Sequence, residues 1–149
     1  MKVYDVTAPI YEGMPVYKNK PEKQPKRTTV TNGYVTESRI DMDVHTGTHI
    51  DAPLHMVEGG ATFETIPLND LVGPCKLFDL THVNDRIMKD DIAHLDIQEG
   101  DFVLFKTKNS FDDAFNFEFI FVAEDAARYL ADKQIRGVGI DALGIERAQ

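Results

Sequence analysis

The sequence predicts a mixed α/β domain, and three observations predict it. β-branched runs separated by turn signals dominate the first half. The second half alternates compact apolar runs with amphipathic segments, a strand–helix–strand order that places a parallel pair near the C-terminus. At 149 residues, 42% of them apolar, the chain can bury one sizeable core, so a single domain over 1–149 is expected.

The opening "KVYDVTAPIYEGMP" starts as a short alternating strand, then meets Pro9, Gly13 and Pro15, which cannot occupy the interior of a regular ladder. The loop beyond it exposes Tyr11 and Tyr17. Residues 18–26, "KNKPEKQPK", are polar, proline-interrupted and locally basic, and read as a surface loop or mobile flap. "TTVTNGYVTESRIDMDV" carries β-branched residues on both sides of Asn32-Gly33, a pair that accepts the positive φ angles of a tight turn, so a β-hairpin is expected. Gly59-Gly60 then breaks the chain. "GPCKLFDLTHV" and "GDFVLFKTK" read as strands, each an apolar run behind a glycine. Between them "DRIMKDDIAHL" reads as a short helix, with Asp90 or Asp91 available for capping. "VAEDAARYLADKQI" puts Ala123, Ala126, Ala127 and Leu130 on one helical face, and "RGVGIDAL" returns as a buried strand.

Composition narrows the function classes. Sixteen Lys plus Arg against 25 Asp plus Glu leave a net charge of −9, which repels phosphate backbones and anionic lipid, so neither nucleic acid nor a membrane is an expected partner. The one cysteine, Cys75, cannot form an internal disulfide; within "CKLFDL" it reads as a buried, inert thiol and suits a reducing compartment. No N-terminal signal is visible and no apolar run approaches the ~20 residues that cross a bilayer, which points to the cytoplasm.

"HTGTHIDAPLH", residues 45–55, holds three of the five histidines. On an extended strand His45 and His49 would lie about 13 Å apart at ~3.3 Å per residue, too far to share an ion, so the backbone must bend. Gly47 tolerates unusual dihedrals, Thr46 and Thr48 can bond nearby backbone groups, and Pro53 stiffens the exit. Two imidazoles and the Asp51 carboxylate form a ligand set for Zn²⁺ or a similar divalent ion, and three ligands leave a coordination position open, as catalytic rather than structural zinc does. His55, four residues past Asp51, reads as a further ligand or as a general acid/base. His82 and His94 lack clustered partners and read as surface residues. Asp90-Asp91 and Asp112-Asp113 read as caps or solvated turns, and Asp141, at a strand end, as structural.

These residues resemble a known family. "HTGTHIDAPLH" is similar to the HxGTHxDxPxH signature of the metal-dependent cyclase-like hydrolases, among them the bacterial kynurenine formamidases (arylformamidases) and the isatin hydrolases. The likeness extends through "DVTAPIYEGMPVY", "LVGPCKLFDLT", "GDFVLFKT" and "AEDAARYL…GVGIDALGIE". It implies a swivelling β/β/α-type fold, a homo-oligomer (dimer or tetramer), a small-molecule substrate, and a site for two divalent ions, zinc or manganese. Carried over, His45, His49 and Asp51 match ligands of one ion, Asp51 also matches the carboxylate bridging to the second, and His55 matches the proton donor/acceptor. Tyr17 falls where formamidases carry a substrate-contacting tryptophan. The family's C-terminal histidine and glutamate have no match in a chain that stops at "GIERAQ", so the expectation is a domain lacking the family's C-terminal part, with the second ion left open. The implied activity is hydrolysis of a C–N amide bond in a small aromatic or cyclic substrate, as in tryptophan catabolism, with lactones and cyclic amides as alternatives. A non-catalytic metal-binding protein is the competing class, and a polar loop without metal is a third.

Overall fold

A computed structural model describes residues 2–147. The β-branched run forms the expected hairpin: β1 (Lys26–Asn32) and β2 (Val35–Asp41) pair antiparallel from Lys26↔Asp41 to Asn32↔Val35. Its turn falls on Gly33-Tyr34 rather than on Asn32-Gly33, because Asn32 still pairs with Val35 and the positive φ, 63°, belongs to Gly33. Hydroxyl pairs Thr29–Ser38 and Thr31–Thr36, each at 3.0 Å, line one face. Every residue of both strands is exposed.

Residues 2–10, expected to open with a strand, contain none. Alternation makes a strand only where a ladder partner takes the backbone groups; here the side chains of Asp5 and Thr48 accept the N–H groups of Thr7 and Ala8, both at 2.9 Å. The basic stretch is a surface loop, one of its two expected forms, with local order of its own. It folds into two 3₁₀ turns, Tyr17–Asn19 and Pro21–Lys23. Gln24 fastens them: its amide donates to the Met14 carbonyl at 2.9 Å and its Oε1 accepts the Gly13 N–H at 3.0 Å.

In the second half a single helical turn, α1 (Leu68–Leu71), precedes β3 (Cys75–Asp79), β4 (Arg86–Ile87), α2 (Lys89–Ile92), β5 (Phe102–Lys106), β6 (Phe121–Val122), α3 (Glu124–Asp132) and β7 (Gly137–Ile140). β5 lies between β3 and β7 and runs parallel to both, and β4 pairs with β6, also in parallel. Parallel neighbours need crossovers, and the segments carrying α2 and α3 supply them. The expected cap on α2 is present: the Met88 N–H donates to Asp91 Oδ2 at 2.7 Å.

Three burial expectations are corrected. Ala127 is exposed, because α3 buries a single stripe through Ala126 and Leu130. β7 is half-buried rather than buried, being an edge strand. Cys75 is exposed, because β3 is the opposite edge and its side chains alternate, with Cys75 on the outward side.

The main core gathers Leu80, Ile87, Ile92, Val103, Phe105, Ala126 and Leu130, and Phe115, Phe119 and Phe121 form a smaller cluster. Among the described residues none before Phe78 joins either cluster. No helix among them is long and apolar enough to cross a membrane.

Asp141 has the structural role expected of it. Just past β7, its carboxylate accepts the backbone N–H and the hydroxyl of Thr107, both at 2.7 Å, and the N–H and hydroxyl of Ser110. Thr107 is fully buried. Asp141→Ala would leave both Thr107 donors without partners, at an expected cost of about 2–3 kcal/mol. A lower urea midpoint at unchanged slope checks this.

Candidate metal centre

Beyond β2 the chain turns on Asp43. Its Oδ1 accepts the His45 N–H at 3.2 Å and its carbonyl accepts the Thr46 hydroxyl at 2.6 Å, local bonds that replace a strand ladder. Thr46 is buried beneath the loop. Gly47 takes φ 63°, a left-handed turn that favours glycine, and a Cβ there would press on the Ile10 side chain, 3.2 Å from its Cγ1. The bend brings the His45 and His49 rings to 5.2 Å between centroids, edge-on at 79°.

Asp51 Oδ1 lies 2.7 Å from His45 Nδ1 and 3.5 Å from His49 Nε2. One donor atom from each of the three residues lies within 4.8 Å of the other two. His49 Nδ1 stands 2.8 Å from the Gly47 carbonyl, which can only accept, so this nitrogen carries the proton and Nε2 presents its lone pair toward Asp51. These side chains are 19–41% exposed, open enough for an ion or substrate to enter. Two imidazole nitrogens, one of them preset by its tautomer, and a carboxylate oxygen fit a divalent cation.

His55 stands beside this trio. Its ring centroid is 4.1 Å from that of His45, with the rings tilted by 39°. It ends the 3₁₀ turn Pro53–His55, which is closed by Val57 N–H to the Pro53 carbonyl at 2.8 Å and Leu54 N–H to the Ala61 carbonyl at 3.1 Å. A Cβ on Gly60 would lie 2.8 Å from Leu54 N, so the returning chain passes too close for any side chain. The diglycine that breaks the chain is also the clasp behind His55.

Tyr17 is outside the group. It is 39% exposed and packs edge-on against Phe115, with centroids 5.1 Å apart. The Asn19 side chain bonds both the N–H and the carbonyl of Phe115, at 3.1 Å each. Tyr17 connects to the histidines through Lys23, whose ammonium lies 6.0 Å from the Tyr17 centroid and bonds Asp43. That ammonium, and then the His45 N–H, hold the Asp43 carboxyl below the usual range. A lowered value means that the tether stabilises the fold above the unfolded carboxylate pKa of about 4 and is lost as pH falls through the lower folded one.

Asp43, Asn19 and Phe115 stand outside the sequence-predicted set. Only Asp43 had a local signal, an Asp two residues before the first histidine in a Thr/Gly loop, where its side chain can bond the backbone. His82 and His94 are exposed and apart from the trio. Gly47→Ala is expected to cost about 1–2 kcal/mol through the left-handed turn. The loss should be larger in metal-loaded than in metal-free protein, because the bent loop is what the cation binds; paired thermal melts with and without chelator check this.

A family model described as "Putative cyclase" matches residues 4–147. A solved "predicted metal-dependent hydrolase from Bacillus stearothermophilus" is 97% identical with a TM-score of 0.88, the match covering 99% of this chain and 72% of that one. The kynurenine formamidase of Erythrobacter litoralis (strain HTCC2594) is 29% identical over 148 residues, 97% of this chain and 68% of that protein. Isatin hydrolase A from Ralstonia solanacearum shares the α/β fold at 18% identity, with a TM-score of 0.79 over 98% of this chain and 68% of that one.

Proposed function

Because the chain belongs to the cyclase family, we propose that it is a metal-dependent hydrolase opening a C–N amide bond in a small aromatic or cyclic substrate. The observation that carries this reading is the convergence of His45, His49 and Asp51 donors within 4.8 Å, with the His55 ring 4.1 Å from that of His45. Similarity to proteins described as a metal-dependent hydrolase and a kynurenine formamidase supports it.

His45, His49 and Asp51 would hold Zn²⁺ or Mn²⁺, which when bound supplies Lewis-acid polarisation of the amide carbonyl and acidifies a water. The chain's own groups do the rest. Asp51 brings a full negative charge to two imidazoles, and the Gly47 carbonyl keeps His49 in the tautomer whose Nε2 faces the site. Among the described residues the His55 ring nitrogens bond no protein group, which leaves them free to take a proton from the attacking water and pass it to the departing nitrogen. That transfer is needed because an amide nitrogen is a poor leaving group as an anion. Tyr17, backed by Phe115, offers an apolar ledge for an aromatic substrate.

The protein is further read as one domain that works as a homo-oligomer in the cytoplasm. The single thiol, Cys75, suits a reducing compartment. The test of the enzymatic reading is turnover of formanilide, a lactam and a lactone by protein stripped with chelator and reloaded with Zn²⁺ or Mn²⁺. Activity should vanish and return with the ion. Stoichiometric ion uptake without hydrolysis of any of the three would leave a metal-binding protein that does no chemistry.

A further inference from the structure

The buried clusters begin at Phe78, so the ligand loop over 45–51 takes its shape from elsewhere. An arm earlier in the chain, residues 8–24, grips it at three places. The Ala8 N–H donates to the Thr48 hydroxyl at 2.9 Å. Ile10 and the buried Met14 lie beside Gly47, where an added Cβ would stand 3.2 Å from Ile10 Cγ1 and 3.7 Å from Met14 Cε. The third grip is ionic: the Lys23 ammonium bonds Asp43 Oδ2, and Oδ1 of the same carboxylate accepts the His45 N–H at 3.2 Å. Lys23 is itself presented from a stiff support. Pro21 opens its 3₁₀ turn, the Gln24 N–H closes that turn on the Pro21 carbonyl at 3.2 Å, and the Gln24 side chain fastens it to Gly13 and Met14.

We propose that Lys23 is a positioning residue for the cation site, presetting His45 through Asp43 before the ion arrives. The inference rests on His45, His49 and Asp51 as the cation's ligands and names what holds the first of them in place. An aspartate side chain turns about two torsions unless both oxygens are engaged. Here one oxygen is pinned from outside the loop, so the other stays where the His45 N–H meets it. The Asp43 carbonyl also accepts the hydroxyl of buried Thr46 at 2.6 Å, so Asp43 braces the backbone on both sides of His45. Charge alone works the other way: an ammonium beside the loop repels a cation, so Lys23 can favour metal binding only through geometry. Preorganisation has that effect, because a loop already bent loses less freedom when the ion binds.

The test is titration of metal-free protein with Co²⁺, followed by its visible absorption, and with Zn²⁺ in competition. Lys23→Met should raise both dissociation constants about tenfold, the scale set by the outer partners of metal ligands. The metal-free melt should stay near wild type, because a partly exposed ion pair adds little stability. Lys23→Arg, which can still donate to Asp43, should bring affinity back to within about twofold of wild type. In an Asp43→Ala background, Lys23→Met should weaken binding no further. Lys20→Met removes the same charge from an exposed lysine of the same stretch and should leave affinity unchanged or slightly higher. The proposal is overturned if Lys23→Met binds as tightly as wild type or more tightly, as loss of a repelling charge alone would give. It is equally overturned if the metal-free melt falls in step with affinity, or if Lys20→Met weakens binding as much. Wild type taking up neither ion would remove the metal site and the role of Lys23 together, whereas uptake that Lys23→Met leaves untouched removes the role of Lys23 alone.

Discussion

Asp51→Asn is expected to empty the site of its ion and to lower formanilide turnover by at least about a hundredfold, since losing even an outer partner of a metal ligand costs about 10- to 100-fold. The substitution keeps the volume of the side chain and removes its charge. In the native chain one carboxylate oxygen faces nitrogens of both histidines, at 2.7 and 3.5 Å. An amide in its place can turn its NH₂ toward those nitrogens and satisfy them as hydrogen-bond acceptors, which competes directly with a cation. Two neutral imidazoles then remain to offset the ion's dehydration. Metal content after dialysis, set against turnover, reads the effect. Retention of a full equivalent of metal by this variant would remove Asp51 from the ligand set.

His55→Ala should show the opposite division, keeping the ion and losing about 10²- to 10⁴-fold in kcat, the usual contribution of a positioned acid/base. The His55 ring is exposed and outside the group of converging donors, so its removal should cost no more than about 0.5 kcal/mol of stability. Partial recovery of turnover with added imidazole would mark a lost proton carrier. If the ion departs together with the activity, His55 is a fourth ligand, a role its spacing also allows.

The ligand trio was legible because it is local: three side chains within seven residues, with His55 four residues further on and Gly47 and two threonines announcing the bend that joins them. The hairpin was legible for the same reason, apart from a one-residue shift of its turn. What the sequence hid was non-local. The alternation of residues 2–10 looks like a strand, yet no ladder partner meets it, and no window of ten residues can reveal that. Cys75 sits in an apolar run that does form a strand, and its exposure follows only from β3 being an edge. The bonds from Asn19 to Phe115, 96 residues away, and from Lys23 to Asp43 tie the Tyr17 turn into the molecule, and neither is written in any local pattern. Asp141 was read as structural, but its partners Thr107 and Ser110 emerge only once β5 and β7 lie side by side.

The confinement of the buried clusters to residues from Phe78 onward has a consequence for how the molecule breathes. Amide protons between His45 and Ala61 can meet solvent through local openings that leave Val103 and Phe105 untouched, so they should exchange with deuterium sooner than those of β5. Free cation should slow exchange in the first stretch and leave the second unchanged, because only the first must close around the ion. Chelator and heat would thus attack different parts of one chain.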